Sequence, residues 1–177
     1  PSSQTSLRHF ADRLPQFLAQ HAPFSAHPIL SEMAQFERLL LDAFDAQNEE
    51  RISLDALQHM PPEDWPALVF PLHPSVQLMH CQWNTVPSWQ ALKRGASPEP
   101  ALRQQAFWLI WRNTARLTEF KSIGREEYEL LRALFTGVTF SQLCDQLVQS
   151  NGEQDATSLA VHYLLDWVTA GLLGKPR

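Results

Sequence analysis

Apolar residues follow a helical period over the first 60 residues and a period of two only after residue 75. Phe10, Leu14, Phe17 and Leu18 share one face and predict a helix over 10–21, which Pro15 should bend or split. "HAPFSAHP" (21–28) reads as a loop. The clearest helix is 28–46, opened by Pro28, which suits a first helical turn. Its expected apolar stripe runs through Leu30, Met33, Ala34, Phe36, Leu40, Leu41 and Phe44, with Glu37 set into it. Ser53 is a good N-cap for a short helix over 54–60, and "PPEDW" starts a further single turn.

The pattern then changes. Val76, Leu78 and His80 alternate with Gln77, Met79 and Cys81, predicting a strand over 75–82. Val86, Trp89 and Leu92 return to helical spacing, and "KRGASPEP" (93–100) is a loop. In "AFWLIWR" (106–112) Ala106, Trp108 and Ile110 point one way while Phe107, Leu109 and Trp111 point the other. Apolar side chains on both faces indicate a central strand covered on both sides, with Trp108 and Ile110 in the core. "ARLTEFKSI" (115–123) is the third strand, after the short turn "NTA". Its Arg116, Glu119 and Lys121 suit an exposed edge protected from aggregation.

Three helices close the chain. The first, 125–136, has acids in its first turn and Gly137 as its stop. The second, 140–149, follows Thr139 and Gln142 at capping-box spacing. The third, 156–170, is capped by Asp155 and ended by Gly171. The expected fold is α+β, with N-terminal helices packed on a small three-stranded antiparallel sheet that C-terminal helices follow, an order compatible with a winged-helix plan. Residues 1–64 form a helical segment and 65–177 an α+β domain.

Composition narrows the function. The 177 residues are 44% hydrophobic and 19% charged, the profile of a globular chain rather than a disordered one. A net charge of −5 lacks the broad attraction that drives non-specific nucleic-acid binding. Two cysteines make no disulfide framework, so a cytoplasmic setting is expected, and no apolar run approaches the ~20 residues of a membrane span. "PSSQTSLRHF" has no initiator Met and no signal-peptide pattern, and reads as the interior of a longer protein.

Catalytic and cofactor motifs are absent: no GxGxxG, GxxxxGK[ST], HExxH, CxxC or GxSxG occurs. Seven histidines are scattered, and even His73, His80 and Cys81 lack ligand-like spacing, so neither a metal nor another cofactor is expected. Glu37 suggests a carboxylate paired with an arginine or placed at the stripe's edge, the alternative being a buried acid with a raised pKa, and Arg112, at the end of the aromatic strand, could pair with it or face a bound peptide. Trp83 and Trp89 flank "NTVPS" and are candidates for a binding surface, since Trp is enriched there.

Four segments, taken together, carry a resemblance. "FADRLPQFL" (10–18), "PILSEMAQFERLLLDAFDA" (28–46), "LHPSVQLMHCQWNTVPSW" (72–89) and "FWLIWRNTARLTEFKSIGREEYELLRALFTGVTFSQLCDQL" (107–147) occur in an order similar to that of the HvfC/BufC family of peptide-maturation partner proteins. The N-terminal half of such proteins is often catalogued as a DNA-binding domain, and this chain resembles a family member lacking most of that helical half. The resemblance implies a non-enzymatic partner that binds the leader of a ribosomally made precursor peptide and presents it to a multi-iron oxidase, which turns its cysteines into copper-binding heterocycles. Iron would then be held by the oxidase. On this reading an extended leader adds to a sheet edge beside 115–121, with Arg112, Arg116, Thr118, Phe120, Trp83 and Trp89 as the candidate peptide-binding residues. The competing reading is a DNA-binding transcriptional regulator, against which helix 140–149 carries no Lys or Arg.

Overall fold

Local sequence sets where each helix starts. The computed structural model describes residues 12–61 and 63–176. Helix α1 spans Leu14–Gln20 and α2 spans Pro28–Asp45, each with a proline in its first turn. Pro15 therefore opens α1 instead of splitting it, because the first-turn N–H that proline lacks has no helical partner in any case. The part of the expected helix before residue 12, including Phe10, lies outside the described residues. Helix α3, Leu54–Gln58, is capped by Ser53, whose hydroxyl accepts the Ala56 N–H at 3.1 Å.

Strand β1 spans Gln77–Trp83, α4 Thr85–Lys93, β2 Arg103–Arg112 and β3 Thr118–Ile123. Helices α5 (Arg125–Phe135), α6 (Phe140–Asn151) and α7 (Glu153–Thr169) follow. The fold is thus α+β, and its antiparallel sheet has the order β1-β2-β3. Thr139 and Gln142 form the full capping box expected of α6. No hairpin follows α7 among the described residues, so the winged-helix likeness lacks a wing; Leu173 and Gly174 form only isolated bridges, with Leu72 and Arg51.

Three expectations are corrected by packing. The buried line of α2 is Ile29, Phe36 and Ala43, leaving Leu41 39% and Phe44 59% exposed. Strand β3 starts three residues late. Asn113 Oδ1 accepts the Leu117 N–H at 2.9 Å, and Arg116 takes a left-handed φ of 64° to close the turn, which removes Arg116 from the strand. Trp108 is half-buried, whereas Ile110 is fully enclosed.

Strand β2 feeds two cores, as its doubly apolar pattern requires. Leu109 and Trp111 join Leu130, Leu131, Leu147, Leu164 and Trp167 of the C-terminal helices. Ile110 joins Phe36 and Ala43 of α2, Met79 and Cys81 of β1 and Val86 of α4. Helix α2 thus shares a core with the sheet across the boundary expected at 64/65. No described helix is long and apolar enough to cross a membrane.

The end of β2 is held by polar groups. Buried Arg112 donates from its guanidinium to the carbonyls of Phe44 and Gln47 and to Asn48 Oδ1, closing the C-terminus of α2. Its own N–H goes to Ser75 Oγ at 3.1 Å, and its carbonyl accepts from Arg51 Nη2 at 2.8 Å. Arg51 Nε also donates to the Gly171 carbonyl at 2.7 Å. Gly171 has φ +72°, and a Cβ there would meet Arg51 Cδ at 3.0 Å, so this close approach requires glycine. His73, 1% exposed, lies 2.8 Å from Ser75 Oγ through Nδ1.

Truncating Arg112 strands the oxygens that close α2. Arg112→Met should cost about 2–4 kcal/mol in urea unfolding. Arg116→Gln, at an exposed turn position, should stay within about 0.5 kcal/mol.

Burial, then the charges of Arg51 and Arg112, hold the His73 pKa down at about 4. The folded value lies below the unfolded value of ~6.5. Neutral His73 therefore contributes its full stability above pH ~6.5, and this is lost as pH falls from there towards 4. Urea midpoints measured between pH 7 and 4 should decline by the equivalent of about 2–3 kcal/mol, and His73→Gln should flatten that decline.

Candidate functional site

Register decides which backbone groups of the sheet are spent. The Asn113 N–H donates to the Leu117 carbonyl at 2.9 Å. Alternation from that pair gives Trp111↔Glu119, Leu109↔Lys121 and Phe107↔Ile123 as the hydrogen-bonded pairs of β2 and β3. The N–H and C=O groups of Thr118, Phe120 and Ser122 consequently face outward. Among the described residues, no backbone hydrogen bond continues the sheet past them.

The opposite edge is partly closed. A bulge between Cys81 and Trp83 interrupts β1. Glu32 of α2 reaches this bulge, accepting the Gln82 N–H at 2.8 Å and the Trp83 N–H at 3.3 Å, together with a short bond from the Thr85 hydroxyl. One carboxylate thus covers the end of the β1 edge and the first turn of α4, where a negative charge is favoured. Burial, then the Glu32 charge, pushes the Cys81 thiol up to about 12, so Cys81 is an inert core residue. Strand β3 is left as the longer open edge.

The six residues expected to bind peptide are not brought together. Trp89 and Phe120 do meet, at 5.8 Å, but both pack on Phe36 at 5.2 Å, and Trp108 lies 6.0 Å from Phe120. The Phe120 ring is committed to this aromatic cluster beneath α2, and its outward contribution is its backbone. Thr118 likewise buries its hydroxyl. Trp83 lies apart, with the Arg103 guanidinium 5.5 Å from its ring. Arg112 is buried in the α2 closure, 8% exposed, and cannot face a ligand. Arg116 stands in the turn beside the start of β3. Glu37 does not pair with Arg112: it is exposed and accepts the Trp89 indole N–H at 3.0 Å.

Sequence reasoning missed Glu32, Arg51 and Ser75. Glu32 and its strand partners are about 50 residues apart, and nothing local marks the link. Among the described residues no group of three or more His, Cys, Asp or Glu could hold a metal. Comparison of the sequence with protein-family models and with curated proteins gave no match.

Removing the Glu32 carboxylate would leave the bulge and the start of α4 without their acceptor. Glu32→Ala should lower stability by about 1–3 kcal/mol, read by chemical denaturation.

Proposed function

We propose that this chain is a non-catalytic binding and presentation partner in peptide maturation. It takes the extended leader of a ribosomally made precursor peptide as a fourth strand beside β3 and presents the peptide to a multi-iron oxidase that modifies its cysteines. The observation that carries the docking mode is the open edge of β3, with the outward backbone groups of Thr118, Phe120 and Ser122 free of partners within the described chain. Strand addition draws general affinity from such groups. The aromatic cluster under Phe120 holds the strand in place, which reduces the ordering cost of binding. Exposed Glu119, which also accepts from Asn113 Nδ2, and exposed Ser122, with Arg116 in the adjoining turn, would contact peptide side chains along this edge. The precursor and the oxidase enter through the four-segment resemblance. Against the DNA-binding reading, neither α6 nor α7 contains Lys or Arg to reach bases or phosphates.

Ser122→Pro tests the docking mode. Its N–H faces outward, so proline removes a docking donor without breaking a bond of the sheet. With a synthetic leader of a Cys-rich precursor peptide that binds the unsubstituted chain, calorimetry should show at least a roughly tenfold loss of affinity. Circular dichroism should show the fold retained. Unchanged affinity in folded Ser122→Pro and Thr118→Pro would place the peptide elsewhere.

A further inference from the structure

The segments around one apolar groove carry acids that no Lys or Arg of their own offsets. This groove, of about 430 Å³, lies between α6, α7 and the segment after α3. Met60, Trp65, Phe140, Cys144 and Val161 line it. Trp65 stands edge-on to Phe140 at 5.6 Å, giving a firm aromatic wall. Val161 is 42% exposed, so the groove opens to solvent on the α7 side.

The segments that build the groove, 53–70 and 138–169, hold seven acids and no Lys or Arg. All 14 Lys and Arg lie elsewhere in the chain. The seven acids, Asp55, Glu63, Asp64, Asp145, Glu153, Asp155 and Asp166, are all exposed. Asp55 and Asp166 lie 3.6 Å and 3.4 Å from the rings of His59 and His162, each only one helical turn away. Asp64 adjoins Trp65 and Asp145 adjoins Cys144, which puts carboxylates beside groove-lining residues. Arg51 and Lys175 line an adjoining pocket that shares Met60, but Arg51 donates to the Gly171 carbonyl and Lys175 pairs with Glu50. An apolar floor whose own segments carry only carboxylates favours a ligand with apolar anchors and the opposite charge.

We infer that this groove docks a cationic amphipathic helix of a protein partner. The apolar face of that helix would fill the groove against Trp65, Phe140 and Val161, and its Lys or Arg residues would meet the surrounding carboxylates. Anchors alone would bind any apolar helix, and the charge field supplies the selection. This inference does not rest on the β3 edge, which draws on a different core.

The test uses the full chain and two synthetic 14-residue helical peptides. One has Leu on one face and Lys on the other, and the second replaces every Lys with Glu. Calorimetry should show the Lys peptide binding at least about tenfold tighter, with affinity falling as salt is raised. Val161→Lys, at an exposed position, should weaken Lys-peptide binding at least about tenfold, with Thr157→Lys as a second variant and circular dichroism confirming both folds. Equal affinity for the two peptides, binding of neither, or undiminished binding by both folded variants would overturn the proposal. Sedimentation showing dimers that Val161→Lys converts to monomers would assign the groove to a second copy instead, and would equally overturn it.

Discussion

Two neighbouring guanidiniums hold the molecule together. Arg112 closes the C-terminus of α2, and Arg51 holds the Arg112 carbonyl and the Gly171 carbonyl in the same fork. An uncompensated buried charge is costly, so buried Arg112 and half-buried Arg51 are each matched by acceptors. Those acceptors come from the end of α2, the end of β2 and the turn after α7. Segments far apart in sequence therefore meet because two side chains must be solvated by backbone. His73 completes the arrangement as a neutral polar neighbour, since a third cation there would be disfavoured by burial and by both arginines.

This junction explains how one three-stranded sheet carries two cores. Strand β2 sends alternate side chains into α2 on one face and into the C-terminal helices on the other. A small sheet with both faces covered has only its edges left to offer. The β1 edge is partly occupied by Glu32, a carboxylate supplied by the same helix that covers the sheet. Strand β3 is only partly protected, by exposed Glu119 and by Lys121, whose ammonium lies 3.3 Å from the Glu127 carboxylate. Charged side chains discourage indiscriminate pairing while leaving the backbone available to a matched strand.

The architecture is legible in the sequence because it rests on periodicity. The doubly apolar run in 106–111, helical spacing in 28–46 and the Thr139–Gln142 cap each depend on neighbours within a few residues, and each produces the expected element. The details that differ depend on distant partners. Arg112 resembles a ligand-facing cation in sequence because its acceptors, the Phe44 and Gln47 carbonyls, have no sequence signature. Glu37 falls inside the expected stripe because the apolar face of α2 is wide enough to be read with two rotations, and contact with the sheet selects the one centred on Phe36. Arg116 reads as part of a strand because "ARLTEF" alternates, whereas the Asn113 side chain makes a longer turn cheaper than an early strand. The β3 edge itself is legible from its charges. Which of its residues face outward emerges only from the register.

The proposed presentation role would need two surfaces that do not compete, one for the peptide and one for the protein that acts on it. The open β3 edge is backed by the α2 cluster, and the acidic groove is backed by the C-terminal core. The two cores meet at β2, a strand buried along its second half and pinned by Arg112 at its end. In the one packing this structure shows, β2 is common to both surfaces, and a ligand shifts an equilibrium only if two states differ in affinity for it. Occupancy at the two surfaces is therefore expected to be additive, and any advantage of holding peptide and partner together comes from effective concentration rather than from allosteric coupling.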